Sequence, residues 1–216
     1  MKVLELNHVC FSYTEEPLIE DLNLKLRSDE GCVVLYGRNG AGKSTLLNLI
    51  CGLFPYGGEI IRDDFHIAYL PYDNPLMEDE TVLANLQFFS RVFRQKNFSA
   101  AEEGIKRGGR MGPVRSYRLA ACSSGQKQKA ALACLLLSDA DMIILDEPFH
   151  AVDYYSVHEL IALIQRLKKH RLFLITTHQT DIIPQIADRL LLMEKGGLRA
   201  DVSGQEEVVS LLEEIR

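Results

Sequence analysis

The chain has 216 residues, 47% hydrophobic and 25% charged, with a net charge of −6. Such values fit one globular α/β domain that buries roughly 70% of its unfolded surface and needs neither disulfide nor metal to fold. The acidic balance argues against a nucleic-acid footprint, and the five scattered cysteines (Cys10, Cys32, Cys51, Cys122 and Cys134) against a disulfide framework. The longest apolar run, Ala130 to Leu137, falls far short of the roughly 20 residues of a membrane helix. The opening MKVLELNHVC lacks a signal-peptide pattern. A soluble, reduced, cytosolic protein is expected, reaching any membrane only through a partner.

In chain order, the alternation Leu22-x-Leu24-x-Leu26 within residues 1–30 predicts half-buried antiparallel strands. GCVVLYG (31–37) is a continuous apolar run ending in glycine, as in a strand covered on both faces. Residues 43–53 read as a helix. A second helix starts after Thr81, a natural N-cap, with Val82, Leu86, Phe89 and Phe93 at helical spacing. Helix is expected to continue over 99–107, and GGRMGP (108–113) breaks it. The region from about 76 to 125 concentrates Arg91, Arg94, Lys96, Lys106, Arg107, Arg110, Arg115 and Arg118. It reads as a helical subdomain inserted into the core. A helix (124–137), strand (142–146), helix (155–169), strand (171–177) and helix (179–187) follow. A hairpin through Gly196-Gly197 and a closing helix (205–216) complete the chain. Alternating strands and helices imply a mostly parallel sheet with right-handed crossovers.

The chemistry begins at GRNGAGKST (37–45), which satisfies GxxxxGK[ST]. Triphosphate oxygens need many short donors and no side-chain obstruction. Glycines let successive N–H groups curl inward, and the next helix adds its positive N-terminus. Lys43 can reach the β- and γ-phosphates, and the Ser44 hydroxyl can ligate Mg²⁺. MIILDEP (142–148) is a buried strand whose C-terminal end delivers Asp146 and Glu147 to the top of the sheet. Two adjacent carboxylates there can divide the work between metal and water.

CSSGQ (122–126) lies upstream of that strand, and TTHQ (176–179) ends the next one. Together these segments resemble the nucleotide-binding subunit of ABC transporters, in the family's motif order and over essentially the whole chain. Residues 37–45 are similar to its Walker A loop, 122–126 to its LSGGQ signature, 142–147 to its Walker B strand and HAVD (150–153) to its D-loop. His178 matches its switch histidine, and Tyr13 its adenine-stacking aromatic. The resemblance implies a P-loop ATPase with an N-terminal antiparallel subdomain, binding ATP with Mg²⁺ on Ser44 and Asp146. ATP would lie on Tyr13, Gly37, Arg38, Asn39, Gly40, Ala41, Gly42, Lys43, Ser44 and Thr45. Ser123, Ser124, Gly125 and Gln126 of a second copy would cap it in a head-to-tail homodimer. Glu147 would polarise water, Lys43 would hold the triphosphate and His178 would sense the γ-phosphate. A separately encoded transmembrane permease is the expected partner on the cytoplasmic face of the membrane, with no nucleic acid. Residues 68–89 further resemble the daunorubicin-type and heme-exporter branch, which implies export.

Four positions depart from the family pattern. Tyr72 stands where a metal-contacting glutamine is usual, and a phenol is a poorer Mg²⁺ ligand than an amide carbonyl. Asp73 or Asn74 is a possible substitute through a shifted loop. Cys122 and Ser124 replace a leucine and a glycine in the signature, and His150 replaces a small residue in the D-loop. A non-transport clamp or regulatory module that holds ATP with slow or no turnover is the alternative these departures leave open.

Overall fold

The computed structural model describes residues 1–62, 64–93 and 116–215. The helix expected over 99–107, the break at 108–113 and residues Arg94, Lys96, Lys106, Arg107, Arg110 and Arg115 lie outside them.

Strands β1 (Val3–Phe11), β2 (Ile19–Arg27) and β4 (Gly57–Ile61) form an antiparallel sheet in the order β2-β1-β4. The alternation seen in the sequence is the burial pattern of β2, whose Leu22, Leu24 and Leu26 point inward. Strand β4 was not expected. Its five residues include two glycines, and only Ile60 is buried, so no period shows.

The second sheet has the order β5-β6-β7-β3-β8-β9. It comprises β3 (Cys32–Tyr36), β5 (Ile67–Leu70), β6 (Met142–Asp146), β7 (Leu172–Thr177), β8 (Arg189–Glu194) and β9 (Gly197–Ser203). The first five strands in this order run parallel, and β9 returns antiparallel to β8. Strand β3 is central because both its faces are covered. Val33 and Leu35 pack toward the antiparallel sheet, while Cys32 and Val34 pack toward the helices on the other side.

Helix α1 (Lys43–Ile50) is wedged between the sheets, with Leu46, Leu47, Leu49 and Ile50 fully buried. Helices α2 (Val82–Val92), α3 (Ser124–Leu135), α4 (Tyr154–Leu167), α5 (Ile183–Ile186) and α6 (Gln205–Glu214) belong to the opposite layer. Thr81 caps α2 as expected, its hydroxyl accepting from the Ala84 N–H at 3.0 Å. The helix expected over 179–187 shrinks to the four residues of α5. Its run of isoleucines mimics a helical face, but residues 180–182 form a turn and Pro184 permits helix only from its first turn onward.

Strand β7 lies between β3 and β6, so the C-terminal ends of all three parallel strands are neighbours. Tyr36 pairs with Thr177, and Asp146 with Thr176. The loops leaving these strands converge on one edge of the sheet.

Candidate functional site

The glycine loop leaves β3 and feeds α1 through Gly40 (φ 81°) and Gly42 (φ 98°), both left-handed. A β-carbon on Gly37 would fall 2.4 Å from the Met193 carbonyl oxygen, so only glycine lets the loop start here. The side chains of Thr81, Ser123 and Asp153 cap α2, α3 and α4, whereas α1 has no side-chain cap. Its first N–H groups are left to a ligand.

Lys43 is only 7% exposed. Its ammonium folds back on the loop, donating to the carbonyls of Gly37 at 2.7 Å and Arg38 at 3.2 Å. Burial holds its pKa below the ordinary lysine value, against the pull of the Glu147 and Asp146 carboxylates. The loop thus holds the Lys43 ammonium against its own backbone carbonyls, an arrangement a triphosphate would relieve.

Asp146 is 4% exposed, and its Oδ1 accepts from the Thr176 hydroxyl at 2.5 Å. Thr176 also accepts from the Glu147 N–H at 2.8 Å. Glu147 takes a left-handed φ of 49°, uncommon outside glycine and concentrated at functional sites. Its Oε2 meets the Nδ1 of His178 at 2.9 Å. The buried threonine therefore holds the Asp146 carboxylate and the Glu147 backbone together, a role not evident from the sequence although TTHQ marks the segment.

A cleft of about 680 Å³ lies over this edge. Tyr13, Asn39, Gly40, Gly42, Lys43, Ser44, Thr45, Glu147 and His178 of the expected residues line it, together with Leu18, Tyr72 and His150. The Tyr13 hydroxyl lies 3.2 Å from Thr45 Oγ1, and its exposed ring leans edge-on against Phe11 (4.7 Å) and Phe54 (5.8 Å). Arg38 and Ala41 lie outside the cleft lining and face a separate groove with β8 and the C-terminal residues. Gly37 and Asp146 sit beneath the lining rather than in it.

Ser123, Ser124, Gly125 and Gln126 are not part of this cleft. They start α3, where Ser123 and Gln126 form a reciprocal capping box. The Ser124 hydroxyl donates to the Ala151 carbonyl at 2.5 Å. Gly125 packs so tightly on α4 that a β-carbon there would come within 2.4 Å of Ser156 Oγ.

Asn74, considered as a replacement metal ligand, is occupied otherwise. Its Oδ1 accepts from the Leu76 N–H at 3.0 Å and its Nδ2 donates to the Lys127 carbonyl at 3.5 Å. It ties its loop to α3. Neither Asn74 nor Asp73 lines the cleft, and Tyr72 does.

The profile of the family described as "ABC transporter" matches residues 19–150. The thiamine import ATP-binding protein ThiQ of Haemophilus influenzae (strain 86-028NP) is 34% identical, over 90% of this chain and 96% of that protein. A nucleotide-free ATP-binding cassette from an ABC transporter superposes with a TM-score of 0.85 at 21% identity, covering 99% of this chain and 96% of the other. A dimeric post-hydrolysis cassette bound to ADP and Pi gives 0.80 at 20% identity, covering 93% and 98%. A profile spanning well over half of the chain, matched from β2 through the Walker B acids, makes this protein a member of the ABC transporter family of ATP-binding, ATP-hydrolysing subunits.

Proposed function

We propose that the chain hydrolyses MgATP between two copies of itself and transmits the resulting motion to a separate membrane permease. The observation that carries this reading is the convergence, at one sheet edge, of an uncapped helix N-terminus, a buried lysine and the paired acids Asp146 and Glu147. The triphosphate would lie on the α1 N–H groups and Lys43, with the base against Tyr13. Glu147 and His178 form the pair that orients water and reads the γ-phosphate. Arg38 and Ala41 support the loop through its backbone.

Mg²⁺ fits the residues present. Among the described residues, Asp146 Oδ2 has no hydrogen-bond partner, and Ser44 lines the cleft. Two protein oxygens completed by phosphate and water suit a small hard cation. The metal would supply charge neutralisation on the phosphates. Tyr72, not an amide, is the neighbouring group, which favours slow turnover.

Ser123, Ser124, Gly125 and Gln126 point to a composite site because they lie apart from their own chain's cleft. That separation supports dimerisation around ATP, with the signature of one copy over the triphosphate of the other. Among the described residues no helix is long and apolar enough to cross a membrane, which accords with a peripheral subunit acting through a permease. The chain would form a single domain, with a helical subdomain inserted near 76–125. For direction, the name of the ThiQ relative supports import against the export expected from residues 68–89.

Purified protein given MgATP tests the reading. Glu147→Gln should retain ATP binding and lower phosphate release about 10²–10³-fold, the usual scale for losing a catalytic base. ATP-dependent dimerisation without phosphate release in the unsubstituted protein would replace the enzyme reading by the clamp. Directional transport in vesicles carrying the co-purifying permease decides import against export.

A further inference from the structure

Two departures from the family pattern, far apart in sequence, meet in space. The ring of Tyr72, after β5, lies 5.3 Å from the ring of His150, after β6. His150 in turn lies 6.3 Å from His178, after β7, and His178 holds Glu147 at 2.9 Å. All four residues line the same cleft. The separations fall in the range where aromatic rings attract through offset or edge contacts.

The backbone around His150 is fixed from several sides. Its N–H donates to the Glu147 carbonyl at 3.0 Å, closing the turn that follows the acid. Gln179 Nε2 donates to the Phe149 carbonyl at 3.2 Å, and Phe149 is buried in the core. Ala151, at φ 53°, offers its carbonyl to Ser124. The loop carrying Tyr72 is pinned through Asn74 to α3 and through the buried Leu76 to the helical layer. The backbone at each end of the ring contact is therefore held by the fold.

We propose that Tyr72 and His150 are a pair of positioning residues whose tilted ring contact holds His178, and through it Glu147, in place of the glutamine usual at position 72. The contact is ring against ring, so the phenol oxygen is dispensable to it. It also connects the loop beside the helical layer directly to the water-orienting pair. The catalytic part of this inference rests on the hydrolase reading above, whereas the ring contact itself does not.

The test therefore has two arms. In the first, histidine side chains are isotopically labelled and their ring resonances followed by NMR in nucleotide-free protein. Tyr72→Ala should shift the resonances of His150 and also of His178, which Tyr72 does not touch, whereas Tyr72→Phe should leave both in place. In the second arm, Tyr72→Ala and His150→Ser should each lower kcat about 3–10-fold with KM for ATP within about twofold, the scale of losing one aromatic contact near a reacting centre. The double variant should be no slower than the slower single one, because both act through one contact. Tyr72→Phe should keep the original rate. A His178 resonance unmoved by Tyr72→Ala would overturn the proposal. So would single effects that multiply, or a Tyr72→Phe rate as low as that of Tyr72→Ala, which would make the phenol oxygen the working group. Should the unsubstituted protein not turn over, the hydrolase reading falls and the NMR arm alone decides the pair. Tyr72 is 55% exposed and His150 is also exposed, so the variants leave the core intact.

Discussion

Two helix N-termini are expected to hold phosphate, and the fold prepares them in opposite ways. Helix α1 begins at Gly42 with no side chain over its first turn and a buried ammonium alongside. Helix α3 begins at Ser123 with its capping box already closed, the Ser123 hydroxyl on the Gln126 N–H and the Gln126 amide oxygen on the Ser123 N–H. The first terminus is incomplete without an anion. The second is satisfied in the isolated chain, and its remaining N–H groups can serve a ligand only when another surface brings one. The difference separates a site that stores its need for ligand from one that waits for company.

The largest test of that contrast is Lys43→Ala. In the unsubstituted protein, ATP at about 100 times its Kd should stabilise the fold by about 2.7 kcal/mol, or about 5–10 °C in Tm for a domain of this size. The alanine variant should lose most of that rise in a thermal melt, and a preserved rise would mean that the α1 terminus does not need its cation. Next in size is Gly125→Ala. Its β-carbon would lie 2.4 Å from Ser156 Oγ and 2.8 Å from Asp153 Oδ2, so α3 and α4 must separate, at about 1–3 kcal/mol by chemical denaturation. Combining it with Ser156→Gly should recover part of that loss, and the ATP-induced Tm rise of the monomer should be unchanged in both.

Ser123→Ala is smaller still, about 1 kcal/mol for a lost cap, or about 2–4 °C. An equal loss with and without ATP at low protein concentration would sharpen the contrast, while a loss of ATP binding in the monomer would break it. The smallest effect is a control remote from both termini. Burial pushes the Asp141 carboxyl up, but the Lys2 ammonium at 2.7 Å and the His66 N–H at 3.0 Å outweigh it and hold its pKa below the usual value. A depressed carboxylate contributes stability above its unfolded pKa, about 3.9, and loses it as pH falls through the lower folded value. Tm should therefore decline below about pH 4 by an amount that Asp141→Asn reduces, with ATP response at neutral pH untouched.

Legibility in the sequence followed how locally each feature is encoded. Strands β3, β6 and β7 are unbroken apolar runs because helices or the second sheet cover both their faces, and such runs can be read directly. Helix α2 announces itself through Thr81 and a regular apolar spacing. The phosphate loop is compact in sequence because one turn must deliver successive backbone donors. Strand β4 carries no such signal, and α5 carried a misleading one. In the candidate site, Lys43, Asp146, Glu147 and His178 were identified as residues, but their grouping depends on β7 lying between β3 and β6, which spacing does not encode. Thr176 was invisible as the shared partner of both acids because a threonine at a strand end has many uses. Tyr72 and His150 stood out individually as departures, and only the fold shows that they answer each other.

The tip of the β8–β9 hairpin abuts the glycine loop. The Gly196 N–H donates to the Ala41 carbonyl at 3.1 Å, and its α-carbon lies so close to the Leu18 carbonyl that no side chain fits. Met193 backs both Gly37 and Gly42. The last quarter of the chain is thus a splint for a loop made in the first quarter, and ribosomal synthesis must finish the splint before the loop can set. A fragment ending before residue 189 would keep every group expected to touch nucleotide, yet it would lack the mould that gives those groups their shape.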